Sequence, residues 1–145
     1  VLAGRGVRGG RHRGDFCTNL ALVPTLFRAA GGADPNLAGR ALHDETAAPD
    51  EVFVQISESQ IGRALRTATH TFAVKDPTRN PLAGHRRPGS SHYVATHLYD
   101  NVTDPHQQHN LVKDADAAGI RRDLAERLAT RIAAVEGTRP TITSR

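Results

Sequence analysis

The sequence predicts an α+β fold: a small antiparallel sheet of about four strands covered by a C-terminal amphipathic helix, with one more helix ahead of the sheet. Three observations predict it. Residues 51–57 alternate in polarity, and two short strand-like runs follow at 61–67 and 70–75. Ile120, Leu124, Leu128 and Ile132 recur every four residues, with charged side chains elsewhere around the wheel. "FCTNLALVPTLFRAAGG", residues 16–32, reads as helix and is stopped by Gly31 and Gly32.

Taken in order, residues 1–14 are rich in Gly and Arg and read as a connection. Asp15 is the expected N-cap of the first helix, which places Leu20, Val23, Phe27 and Ala30 on one side. Pro24 kinks that helix or starts its second half. Turn formers fill 33–50. The first strand puts Val52, Val54 and Ile56 on one face and Phe53 and Gln55 on the other. Ala64 and Leu65, then Phe72 and Val74, are the apolar anchors of the next two strands. Residues 76–91 hold three prolines and read as a long loop. A short strand is expected around His97–Tyr99, and Asp104-Pro105 sets a turn in which Asn110 bonds nearby backbone. Asp116 is the expected cap of the last helix, which Gly137 and Pro140 end.

Length and composition narrow the classes. The 145 residues suffice for one ordinary domain, or for a small domain plus a piece of another. Six aromatic residues leave the core to Leu, Val, Ile and Ala. No run approaches the ~20 apolar residues that cross a bilayer, and the Arg-rich start lacks the apolar stretch of a signal peptide. Cys17 is the single cysteine, so no internal disulfide forms, and the compartment stays undecided. Methionine is absent even at position 1, which is what an excerpt of a longer chain would show. The net charge of +4 comes from seventeen Arg and two Lys. They are scattered, many beside carboxylates as in "RRDLAERLATR", which fits a solvated surface and argues against nucleic acid as a partner.

The local motifs carry little chemistry. Gly4, Gly6 and Gly9 form a Gly-x-Gly-x-x-Gly pattern, but no strand precedes it and no helix opens at its third glycine. No aromatic residue interleaves the arginines before residue 16, so an RNA-binding arm lacks its stacking platforms. His106 and His109 could face one metal, yet zinc needs two further ligands. His43-Asp44-Glu45 sits in a loop, and Cys17, among apolar helix neighbours, reads as a buried inert thiol. Ser57, Glu58 and Ser59 read equally well as a polar turn or a substrate contact. The residues alone predict no catalytic group and no metal cage.

Four segments in order resemble the C-terminal part of sulfatase-family hydrolases, in the alkaline-phosphatase-like superfamily. They are "LALVPTLFRAAGG" (20–32), "LAGRAL" (37–42), "EVFVQISESQIGRALRTATHTFAV" (51–74) and "HLYDNVTDPHQQHNLV" (97–112). The resemblance implies that residues 1–49 end the large α/β catalytic domain, 50–137 form the C-terminal subdomain and 138–145 are a tail. It implies a missing N-terminal catalytic domain as partner, against which the helix around Val23-Pro24-Thr25 packs. A sulfated small molecule or glycan is the implied substrate of the parent enzyme. The parent's formylglycine nucleophile and divalent metal, usually calcium, are expected upstream of this chain, because Cys17-Thr18-Asn19-Leu20-Ala21 lacks the Pro and Arg of the family's nucleophile turn. Two departures mark divergence: Ala21 stands where the family has Asp, and His70-Thr71-Phe72 stands where it has Trp-Lys-Tyr. Glu58, Gln60, Arg63 and Arg66 are the candidates for one wall of the substrate cleft. An arginine there could hold a sulfate or a carboxylate bidentately, or the four could be strand-surface or interdomain ion pairs. The rival expectation is a stand-alone accessory or binding domain derived from this subdomain.

Overall fold

The computed structural model describes Gly4, Gly10, His12 and residues 14–44, 49–78 and 88–144. Most of the Gly-x-Gly-x-x-Gly stretch, Glu45 of the His43-Asp44-Glu45 run and the middle of the proline-rich loop lie outside the described residues. The chain divides into two compact units, Val1–Val52 and Phe53–Arg145.

In the first unit a single 3-10 turn, Asn19–Ala21, leads into α1, Leu22–Ala29. Asp15 does not cap it. Thr18 holds that place without a side-chain bond, and Asp15 instead pairs with Arg40 at 3.0 Å. An acid offered a guanidinium gives more by pairing with it than by accepting one amide N–H. Pro24 falls in the first turn of α1, where its missing N–H costs nothing, so it starts the helix rather than kinking it. Thr25 is buried and joins α1 to the following loop: its hydroxyl donates to Ala21 O at 2.5 Å and accepts from Leu42 N at 2.8 Å. That loop approaches the helix closely at Gly39. A Cβ there would meet Leu20 O at 2.5 Å, and φ is +89°, so no other residue fits.

The second unit is built on one sheet whose strands run in the order β1-β2-β3-β4-β5. They are β1 (Glu51–Ile56), β2 (Gly62–Thr67), β3 (His70–Lys75), β4 (His92–Asp100) and β5 (Thr141–Thr143). β2 to β4 pair antiparallel, with a bulge at Ala73/Val74. β5 is a fifth strand, parallel to β4 (His92↔Thr141 to Val94↔Thr143), in a segment expected to be a tail. Three residues are too few to show a period. β4 is also longer than its expected piece around His97–Tyr99, starting at His92 and burying Tyr93 and Ala95.

α2, Ala118–Glu136, covers one sheet face. Its buried stripe is Leu124, Leu128, Ala129 and Ile132, while Ile120 stays exposed near the start. Asp116 is not the cap: Ala117 is, without a side-chain bond, and Asp116 N donates to Asp114 Oδ1 at 2.9 Å. Gly137 ends α2 at φ 77°, its N–H donating to Ala133 O at 3.0 Å. Leu65, Phe72, Tyr93, Leu98, Leu128 and Ile132 are the fully buried centre. Phe53 packs against that core, whereas Val54 and Ile56 are exposed, so the single aromatic decides which face of β1 turns inward. In β2 the inward residues are Arg63, Leu65 and Thr67, which leaves Ala64, an expected anchor, half-buried on the opposite side.

β4 passes beyond β5 with an open edge. Asn110 covers it: Oδ1 accepts from Leu98 N at 3.0 Å and from Val112 N at 3.1 Å, and Nδ2 donates to Thr96 O at 2.9 Å. One amide side chain thus does for the edge what another strand would do.

Candidate functional site

Of the four candidates, Arg63 has the most constrained surroundings. Its side chain has no exposed surface, yet each arm of the fork finds an acceptor. Nε donates to Glu136 Oε1 at 2.5 Å. Nη1 donates to Gly62 O at 2.7 Å and Ile56 O at 3.3 Å, and Nη2 donates to Pro88 O. The guanidinium carbon lies 5.9 Å from the centre of the Tyr93 ring. The last residue of α2, the end of β1 and the segment entering β4 therefore meet on one cation. Ser57 joins the cluster by donating to Pro88 O at 3.1 Å.

Tyr93 completes the group. Burial raises its phenol pKa above the ordinary value, while the Arg63 charge and the hydrogen bond from Ser90 N pull the other way. That hydrogen bond is 3.0 Å long, with Tyr93 Oη as acceptor.

The other candidates do not converge on Arg63. Glu58 and Gln60 are exposed in the turn between β1 and β2. Arg66 lies three residues past Arg63, hence on the opposite sheet face, exposed, with Nη1 donating to Thr71 Oγ1 at 3.0 Å. Sequence reasoning missed Glu136, Pro88 and Tyr93 around Arg63. Glu136 is 73 residues away along the chain, and no local pattern announces so distant a partner.

The turn after β4 uses its acids structurally. Asp100 accepts from Val102 N at 2.8 Å and Thr103 N at 3.1 Å; Asp104 accepts from His109 N at 2.8 Å. Both carboxyls titrate below the ordinary value, Asp100 chiefly through the Thr103 and Val102 amides and Asp104 through those of His109 and Gln108. His109 is tied into this turn with its ring 3.8 Å from Asp104.

Cys17 is exposed and precedes the first helical turn, contrary to the buried thiol expected of it. Among the described residues no three or more His, Cys, Asp or Glu side chains are placed to hold a metal ion.

The first unit carries an exposed apolar surface on its helix. Leu20, Leu22, Val23, Leu26 and Phe27 are all exposed, Leu26 to 68%. Leu20, Val23 and Phe27, read in the sequence as one side of the helix, are among them. Between α1 and its loop lies a small cavity of about 160 Å³ lined by Pro24, Phe27, Arg28, Leu37, Arg40 and Asp44. Arg28 and Asp44 pair across it at 3.2 Å.

These features define an α+β sheet domain with one face under a helix, accompanied by a helical unit whose apolar side is open. Solved structures similar to it include sulfatases. The chain is similar to a protein assigned as a sulfatase from Bacteroides thetaiotaomicron VPI-5482, at 23% identity and TM-score 0.57, over 79% of this chain and 24% of that one. It is similar to BT4656, solved in complex with its substrate D-glucosamine-2-N,6-O-disulfate, at 15% identity and TM-score 0.61, over 83% and 24%. A third is yidJ from Bacteroides fragilis, likewise assigned as a sulfatase, at 17% identity and TM-score 0.55, over 80% and 24%. No family model and no curated protein matches the chain in sequence. The chain has the fold of part of a sulfatase and spans about a quarter of the length of those structures.

Proposed function

We propose that this chain is the C-terminal subdomain region of a sulfatase-like hydrolase of sulfate esters. In this reading it supplies support and one wall to a catalytic body that holds the nucleophile and the metal. The observation that carries it is the fold match, which takes in about four-fifths of this chain and about a quarter of each sulfatase. The open apolar side of α1 supports the same reading, since five large apolar side chains in water are what a separated contact surface looks like. The substrate proposed for the parent is a sulfated small molecule or glycan, as BT4656 is solved with a disulfated glucosamine.

Within this proposal Glu58 and Gln60 are the residues free to face the cleft, because the turn that carries them is exposed. All three nitrogens of Arg63 are already bonded within the chain and hold that turn against the 88–90 segment instead. The second unit has its own buried centre, which favours, as a second reading, a stand-alone accessory or binding domain of the same ancestry.

The test is the coding frame upstream and the activity it confers. A Cys-x-Pro-x-Arg (or Ser) nucleophile motif some hundreds of residues earlier, with aryl-sulfate hydrolysis by the longer chain and none by this one, is the expected result. A frame that begins at this chain, or an equally active isolated chain, contradicts it.

A further inference from the structure

The two ends of the sheet are finished differently. At one end β5 lies along the first part of β4, and Asn110 bonds the backbone further on. At the other end β1 is the outermost strand, and among the described residues no strand lies beyond it. A strand so placed is ordinarily blunted by Lys, Pro or inward-pointing charge. β1 reads Glu-Val-Phe-Val-Gln-Ile: it has neither Lys nor Pro, and its one charge, Glu51, stands at its first residue. Its β-branched and aromatic content is what strand pairing favours. Phe53 packs inward, so Val52, Val54 and Ile56 share the other face, where Val54 and Ile56 are 41% and 42% exposed. The end of the strand is already fixed. Arg63 Nη1 donates to Ile56 O and the Ser57 hydroxyl donates to Pro88 O, so pairing there has little disorder to overcome.

We infer that β1 is a contact between two copies of this chain, pairing antiparallel with its own counterpart about a two-fold axis at Val54. A two-fold contact needs a surface complementary to itself, and opposed residues of an antiparallel pair point to the same face. With the axis at Val54, that residue meets its own copy and Val52 meets Ile56, so every aliphatic side chain of the outward face is matched. Phe53 then faces Gln55 and Glu51 faces Ser57, and no carboxylate meets another. Moving the axis to Phe53 sets Asp50 against Ile56; moving it to Gln55 sets Glu58 against Val52. Either slip opposes a carboxylate to an aliphatic side chain, and Val54 is the centre that avoids both. One strand pair buries less than a standard interface, so the dimer is weak and forms in concentrated protein. The inference does not rest on the sulfatase-like reading, and its surface is separate from the apolar side of α1.

The experiment is disulfide trapping of the 145-residue chain in a glutathione redox buffer, with Cys17→Ser removing the native thiol. Val54→Cys sets two thiols face to face on the axis, within reach of a disulfide. Ile56→Cys sets them four residues out of step, about 13 Å apart. The expected result is at least about tenfold more linked dimer from Val54→Cys than from Ile56→Cys. Val52→Cys mixed with Ile56→Cys links more readily than either variant alone. Adding Val54→Lys, which opposes a charge to its own copy, removes that mixed link; Val54→Glu is the second variant should Val54→Lys lower the melting temperature. Leu22→Asp/Leu26→Asp, which breaks association through α1, leaves the pattern of positions unchanged. Equal linking at 54 and 56, linking at neither, or a mixed pair no better than its components overturns the inference. Each of those failures leaves the sulfatase-like reading standing, because it depends on the fold and on the apolar side of α1.

Discussion

Arg63 brings a full charge to a position closed to solvent, and such a charge stays only where acceptors surround it. Removing it leaves Glu136 without its cation, takes the Nη1 bond from Ile56 O and leaves Pro88 O to the Ser57 hydroxyl. Arg63→Ala is therefore expected to cost about 3–5 kcal/mol in urea unfolding, whereas Arg66→Ala on the exposed face changes stability by less than about 0.5 kcal/mol. Equal effects would show that the cluster is not the joint described above. The acids of the turn after β4 set the pH response. Asp100 and Asp104 titrate lower folded than unfolded, so their stabilisation is present above the ordinary carboxylate pKa and is lost as pH falls through the folded values. Melting temperature should fall on acidification, and Asp104→Asn should flatten that fall; an unchanged profile counts against these bonds. At this scale sequence reasoning picked out Arg63 but not its setting, because Pro88 and Glu136 lie 25 and 73 residues away along the chain. Asp15 and Asp116 misled for the opposite reason: each sits where a cap would sit, but Asp15 pairs with Arg40 and α2 opens from Ala117.

At the scale of elements, β2, β3 and α2 were legible because each is long enough to show its period and each buries one side. β5 was not, since three residues carry no period and the strand exists only by lying along β4. The face of β1 was legible but not its direction: three aliphatics opposed one Phe, and the packing chose Phe53. Asn110 is the element-scale device whose loss is easiest to read. Asn110→Ala unpairs Leu98 N and Thr96 O along β4 and should cost about 1–3 kcal/mol. Faster amide exchange at Leu98 is the specific sign, and unaltered exchange there means another group covers the edge. Gly137→Ala forces a side chain into the left-handed region at the end of α2 and should cost about 1 kcal/mol by thermal unfolding.

For the whole molecule, the two units differ in what they leave open. The second closes a core of its own around Leu65, Phe72 and Leu128. The first fastens α1 through Thr25 and turns Leu22, Val23, Leu26 and Phe27 outward. Composition gave no warning of this, because the same apolar residues would serve a buried helix equally well; only the resemblance pointed to a neighbouring body. The central claim is that this surface is a contact with the rest of a larger sulfatase-like hydrolase. The most direct measurement is sedimentation of the isolated chain across a concentration series, read beside binding of a hydrophobic dye. The account predicts dye binding and concentration-dependent self-association, both suppressed by Leu22→Asp/Leu26→Asp with the melting temperature unchanged. A dye-negative monomer at every concentration would contradict it.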